Sequence, residues 1–360
     1  MQDSVAASYT RRIRSLLDRS SFAPARSRLW WLPVHVSVIV ACTLLLAHSR
    51  VPAWADPLLS LPIGASFAGL TFLAHETLHG AVVRALWARR IVGWLGFLPF
   101  VLSPRLWLAW HNHVHHGNTN RAGRDPDAYP TLDEYRQSRS VRFATEIAAP
   151  GLGRFRGLGS LVVGFSIQSL HMLVAARSRG YLRGREHVFA LLETAAGIAF
   201  WASLAHFIGA RSFVFAFVLP LALANATVMA FILTNHSLSP LVTSNDPLAT
   251  SLTVTTPRWL EWLTLGFGFH VEHHLFPAMS ARFAPRVRQI LLERFATSYQ
   301  SMSLWQATLA LHRGARVYKD AATLIDPNSG RQWSTLPNQT SGSVGPEPAQ
   351  RIRSQPAPTA

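Results

Sequence analysis

His270-Val271-Glu272-His273-His274-Leu275-Phe276-Pro277 places three imidazoles at i, i+3 and i+4, positions that share one face of a helix. Two further clusters lie upstream, His75-Glu76-Thr77-Leu78-His79 and His111-Asn112-His113-Val114-His115-His116. In the second, helical spacing pairs His111 with His115, puts His116 about 100° further round, and turns His113 away. A lone His236 ends a long apolar run, where a polar group is costly unless it is used. His75, His79, His111, His115, His116, His236, His270, His273 and His274 are nine candidate ligands. That is too many for one ion and right for two ions a few ångströms apart. Imidazole nitrogens suit iron, copper or zinc rather than magnesium or calcium.

The chain around these clusters reads as a membrane protein. Of its 360 residues 49% are hydrophobic and only 14% charged, against about 25% charged in soluble domains. The net charge of +16 comes from arginines scattered beside apolar runs. A nucleic-acid binder would be basic too, but would not need several bilayer-length apolar segments. Membrane orientation and docking of an acidic partner account for the charge better. The single cysteine, Cys42, excludes disulfides and a thiolate metal site. No cleaved signal peptide is expected.

Residues 1–28 form a basic leader, expected on the cytoplasmic side. Four spans are expected, at about 29–47, 58–79, 188–208 and 213–233, paired in two hairpins that return every histidine cluster to that side. Residues 91–103 are too short to span and are broken by Pro99, which makes them interfacial or re-entrant. Residues 158–176 are long enough to span. Yet Arg177, Arg179, Arg183 and Arg185 follow them, and a span here would strand the third cluster on the wrong side, so they are expected to lie along the interface. The membrane domain is taken as 29–325. Residues 326–360, rich in Pro, Gly, Ser and Gln, are expected to be a disordered tail.

A hydrolytic reading competes. His75-Glu76-Thr77-Leu78-His79 fits H-E-x-x-H, in which two histidines hold zinc and the glutamate is the general base. An intramembrane zinc metalloprotease would need one more ligand and leave most clustered histidines without a purpose.

Together the three boxes and His236 resemble the membrane fatty acid desaturase superfamily, which also holds alkane hydroxylases and carotenoid ketolases and hydroxylases. The resemblance covers roughly Leu58 to Pro277. It implies an all-α integral membrane fold, with four transmembrane helices and a cytoplasmic helical cap holding a diiron centre. It implies O2 as co-substrate and an O2-dependent introduction of a double bond into a fatty acyl chain, with hydroxylation or ketone formation as the alternative. Two features leave that subclass open. The second box runs His-x-x-x-His-His, a spacing similar to alkane hydroxylases, and Asp125-Pro126-Asp127 is similar to a carotenoid ketolase motif.

Carboxylates usually orient ligating imidazoles, and Glu76, Glu272, Asp125, Asp127 and Asp246 are candidates, with His113 and Asn235 as further neighbours of the site. No residue reads as a catalyst apart from the metal ligands. The chain carries no flavin motif, cytochrome-like domain or cysteine cluster, so electrons are expected from an external donor, a ferredoxin or similar carrier with its reductase, docking on the arginine-rich face. The acyl chain is expected to lie among the apolar spans near Trp107 and Trp110. A bacterial inner membrane with both termini cytoplasmic is the expected location.

Overall fold

A computed structural model of the chain describes residues 5–48, 52–148 and 156–336. Six long helices organise it: α1 (Trp31–Ala47), α2 (Asp56–Leu78), α3 (Leu86–Phe97), α4 (Arg156–Ala175), α5 (Gly184–Phe213) and α6 (Leu219–His236). Among the described residues four stretches are long and apolar enough to cross a membrane, Arg26–Ala47, Ala53–Leu78, Gly157–Ala175 and Gly184–His236. The last spans both α5 and α6 and breaks at Gly209 (φ 77, ψ 160), a left-handed backbone that glycine adopts without strain. The chain is a membrane protein. The segment expected along the interface, α4, is thus also long and apolar enough to span, and it packs along α6.

The central helix is α2. Every residue from Ser66 to Leu78 is buried, as expected of a helix that is apolar on all sides. Small residues let its neighbours approach closely, the usual way of packing helices where lipid removes the hydrophobic drive. A Cβ on Gly64 would sit 2.9 Å from Leu223 Cβ on α6, and one on Gly96 of α3 would sit 2.5 Å from the Leu70 carbonyl oxygen of α2. By contrast α5 buries only Ala190, Thr194, Gly197 and Trp201. That spacing of four, three and four is a single stripe facing the bundle.

Polar ties fix both ends of the bundle. At one end Arg211 pairs with Asp56 at 2.7 Å and the Ser60 hydroxyl donates to the Phe215 carbonyl at 2.7 Å. At the other, Arg105 reaches Glu193 at 2.8 Å and Glu186 at 2.7 Å. Between α3 and the second histidine box the chain turns sharply, by 102° between Leu86–Phe100 and Pro104–Asn118. Pro104 starts the new helix, with Ser103 capping it.

The third box forms a short helix, α7 (His270–Leu275). The described residues also form two small sheets, the first of which packs on this helix. β1 (Thr253–Thr255) pairs in parallel with β2 (Ser301–Ser303), in register Val254 to Met302. β3 (Val317–Tyr318), β4 (Thr323–Ile325) and β5 (Gln332–Ser334) form an antiparallel sheet. The basic leader is not free of the body. Its helix Val5–Arg14 buries Ile13 against Val271 and Leu275 of α7, while Phe22 packs edge-on to Phe276.

Residues 326–336, expected to belong to a disordered tail, make defined backbone contacts. Asp326 accepts at the turn from Gly330, β5 pairs with β4, and Leu336 N–H donates to the Leu238 carbonyl. Six polar residues there make a turn and an edge strand, which composition alone does not distinguish from a free tail. Residues 337–360 of that expected tail, and 1–4 of the leader, lie outside the described residues.

Candidate metal centre

The nine expected histidines converge. His75 and His79 sit at the end of α2, His236 is the last residue of α6, and His270, His273 and His274 lie on α7. The second box lies in a π-helical turn, Leu108–His115, in which His116 N–H donates to the His111 carbonyl five residues back. The donor atoms of His75, His79, His111 and His273 lie within 4.8 Å of one another, and so do those of His115, His236 and His274. His116 joins the first group, its Nε2 3.2 Å from that of His273. His270 joins the second, its Nε2 2.7 Å from His236 and 3.1 Å from His274. The groups touch where His111 stacks on His115 at 5.0 Å.

The hydrogen bonds of the second group decide its protonation. Asp125 Oδ1 can only accept, so His115 Nδ1 carries the proton at 3.0 Å. The Thr250 carbonyl can only accept, so His236 Nδ1 carries its proton too. The Thr119 hydroxyl donates to the His115 carbonyl and so accepts from His274 Nδ1 at 3.3 Å. His236 and His274 then carry bare Nε2 lone pairs; His115, whose pKa the Asp125 charge and hydrogen bond raise to about 9 against burial, offers a third once a cation displaces its Nε2 proton. Such an arrangement is repulsive alone and suited to a cation. Two donors about 2.1 Å from one ion lie about 3.0 Å apart at a right angle, which matches the observed 2.7–3.2 Å. In the first group His79 Nε2 is buried with no hydrogen-bond partner among the described residues. Burial holds His270, His273 and His274 far below the usual imidazole range, His273 at about 3, so all three are neutral donors. The residues fit two metal ions, five imidazoles facing one and four the other.

The expected supporting residues divide. Asp125 accepts from His115, from Asp127 N–H at 3.0 Å and from Asn120 N–H at 2.8 Å. Burial works to raise its pKa, but the His115 charge and these bonds outweigh it and keep it ionised. A metal on Nε2 would supply that charge in place of the proton. Asp127 lies 3.4 Å from His115 Nδ1 and accepts from Trp110 Nε1 and Gln168 Nε2 at 3.1 and 2.7 Å; burial is the main reason its carboxyl is pushed up to about 6. Asp246 caps the Pro247–Thr250 turn whose carbonyl holds His236.

Glu76 and Glu272 hold no imidazole. Glu76 Oε1 accepts from the Ser280 hydroxyl at 2.5 Å and Ala281 N–H at 2.9 Å. Glu272 accepts from Thr253 and Tyr299, both at 2.6 Å. Each follows or precedes a histidine on a helix, so it points about 100° away from the metal face and pins the box to the loop behind it. His113 is exposed, and among the described residues its ring contacts none of the nine. Asn235 is fully buried and both its side-chain polar atoms lack a partner among the described residues.

Several residues on which the geometry rests gave no signal in the sequence. Thr119 and the Thr250 carbonyl fix tautomers, and Ser280, Thr253 and Tyr299 anchor the carboxylates. A backbone carbonyl carries no residue signature, and hydroxyl residues are common in any sequence.

A cavity opens onto both groups. His75, His111, His115, His236 and His270 line it, and Phe97, Trp107, Phe165, Val228 and Ile232 supply apolar surface. Trp107 stacks on His111 at 4.4 Å. Trp107 and Trp110 both line this cavity.

Comparison with known proteins places this geometry. The family model for fatty acid desaturase matches residues 52–305. An sn-1 oleoyl-lipid 12-desaturase from Picosynechococcus sp. is 25% identical over 281 residues, covering 73% of this chain and 77% of the relative. A chloroplastic omega-6 fatty acid desaturase from Spinacia oleracea is 23% identical over 279 residues, covering 74% of this chain and 60% of that protein. Most of the matched stretch lies on the helices and loops that carry the nine histidines, and the chain belongs to the fatty acid desaturase family.

Proposed function

We propose that the chain introduces a double bond into a fatty acyl chain, using O2 and a diiron centre held by the nine histidines. The observation that carries this reading is the largely apolar cavity lined also by imidazoles from both groups. A bound ion there is reached from the apolar side, where an unreactive methylene lies. The names of both relatives, an acyl-lipid and a fatty acid desaturase, point to the same class of substrate.

Iron suits the nitrogen donors and changes oxidation state where zinc does not. When bound, it would supply the redox chemistry that takes one hydrogen from each of two neighbouring methylenes while O2 and two external electrons, with two protons, become two waters. The protein's part is positional. Phe97, Phe165, Val228 and Ile232 receive the chain and keep water from it. Trp107, stacked on His111, sets where the chain passes the imidazoles. Asp125, Thr119 and the Thr250 carbonyl hold protons on Nδ1, leaving each Nε2 to the metal. Electrons come from a small acidic carrier docking on the arginine-rich side. That side is cytoplasmic, with both termini, in a bacterial inner membrane.

The zinc protease reading fares worse on one observation. Its general base would be Glu76, whose carboxylate is engaged by Ser280 and Ala281 rather than by the imidazole cluster. Expression in a bacterium, followed by mass spectrometry of its fatty acids, tests the proposal. A new species two mass units lighter than its precursor is expected. A hydroxylated chain, sixteen units heavier, would replace desaturation by hydroxylation. An unchanged profile with supplied donor would remove the reading.

A further inference from the structure

The chain between α4 and α5 folds into a tight turn that gathers cations. Tyr181 N–H donates to the Ala176 carbonyl at 2.8 Å, and Gly180 N–H to that of Arg177 at 3.2 Å. Gly180 (φ 73) and Gly184 (φ 52) take the left-handed backbone that the turn requires, and Ala176 and Leu182 are buried beneath it. Arg177, Arg183, Arg185, His187, Val188 and Phe189 line an open groove of about 780 Å³ here. All three arginines are exposed, and among the described residues none of their guanidiniums has a hydrogen bond or ion pair. The Nδ1 of His187 is buried and also lacks a partner among them. Glu186, the one acid in this stretch of sequence, is engaged by Arg105 at 2.7 Å and Arg90 at 3.4 Å. Arg183 is the N-cap of the 30-residue α5 and gives it no side-chain cap, so the positive end of that helix adds to the same field.

The apolar side of the groove names its occupant. Val188 is exposed beside the arginines, and Val174, 84% exposed, continues the apolar surface along α4, as Leu191 and Leu192 do along α5. Both helices belong to stretches apolar enough to cross a membrane. Basic residues that close such a stretch meet the head groups of anionic lipid. A soluble acidic protein would satisfy the cations and leave the apolar rim facing water, whereas a lipid satisfies both. We propose that this groove holds an anionic glycerophospholipid, its phosphate among Arg177, Arg183 and Arg185 and its acyl chains along Val188 and Phe189. The planar guanidinium fork matches phosphate oxygens two at a time. The site is separate from the metal centre and stands whether or not the histidines hold iron.

Native mass spectrometry of the whole protein in detergent tests this. Phosphatidylglycerol and a galactosyl diacylglycerol with the same acyl chains are supplied in equal amounts, and the lipid that stays bound is counted. One arginine near an anionic surface is worth about a fivefold change in affinity. Wild type should therefore favour phosphatidylglycerol about tenfold or more, and Arg177→Gln/Arg183→Gln/Arg185→Gln should lose that preference. Arg282→Gln/Arg286→Gln/Arg294→Gln, which removes three exposed arginines elsewhere, should keep it. The groove arginines have no side-chain partner to lose, so the first variant should melt with wild type, and each single change should lower the preference in part. Equal retention of the two lipids by wild type overturns the proposal, as does the same loss in the second variant. Inorganic phosphate that displaces the lipid at equal concentration overturns it in favour of a free-anion site. An acidic ferredoxin that displaces the lipid overturns it in favour of the electron donor.

Discussion

Replacing Asp125 by asparagine removes a charge while keeping the shape. Its carboxylate is buried and takes three donors, His115 Nδ1, Asp127 N–H and Asn120 N–H, at 3.0, 3.0 and 2.8 Å. An amide offers one acceptor oxygen and an NH2 group. If the oxygen faces His115 and Asp127, the NH2 meets the Asn120 N–H; if it faces Asn120, the other two lose their acceptor. At least one buried donor is left unsatisfied, costing about 1–3 kcal/mol. His115 also loses the partner that fixes its tautomer. Losing such a partner typically weakens metal affinity about 10- to 100-fold, or about 1.4–2.7 kcal/mol. Asp125→Ala, with all three donors stranded, is expected to cost more stability again. The assay is iron retention during titration with a chelator, with thermal melting of loaded and stripped protein. Asp125→Asn should release iron at lower chelator and melt lower in both forms. Wild-type iron retention in a variant that melts lower would refute the role of Asp125 in holding His115.

Other changes probe separate parts. Glu76→Gln keeps an acceptor for Ser280 and Ala281, so activity should fall by less than about tenfold; a loss of about 10²–10⁴, the worth of a general base, would favour hydrolysis. Gly96→Ala drives a Cβ to 2.5 Å from the Leu70 carbonyl oxygen and 2.6 Å from Ala74 Cβ, and should cost about 1–3 kcal/mol of stability, read as a lower melting temperature in detergent. Val228→Phe adds bulk to the cavity that the imidazoles line; it should shift products to shorter or fewer unsaturated chains with metal content unchanged, and an unaltered product profile would place the acyl chain elsewhere.

The histidines were legible because ligand spacing is a local property. The first and third boxes, at i, i+4 and i, i+3, i+4, and the His111/His115 pair of the second announce a common face before any fold is known, and the apolar runs that end in His79 and His236 place them at one end of the bundle. The π-turn was not legible, since no residue type in Leu108–His115 marks i to i+5 bonding; in the structure Trp110 and His115 of this turn are held by Asp127 and Asp125 from the loop beyond it. Glu76 and Glu272 show the opposite case. Adjacency to a histidine suggested a supporting role, yet the same 100° helical step that aligned the imidazoles already turned both carboxylates away. The segment at 158–176 stayed ambiguous for a physical reason. Length and apolarity are identical for a helix that spans and one that lies flat, and the basic residues after it argue only about sides. The edge strand at Gln332–Ser334 exists because β4 offers it a partner, which is a tertiary fact.

Metal analysis of the purified protein, as wild type and as His273→Ala/His274→Ala, tests the central claim most directly. The double change removes one donor from each group. About two iron ions per wild-type chain, lost in the variant, is the predicted result. One zinc per chain, kept by the double variant and lost on His75→Ala, would contradict the diiron centre and return Glu76 to the role of a hydrolytic base.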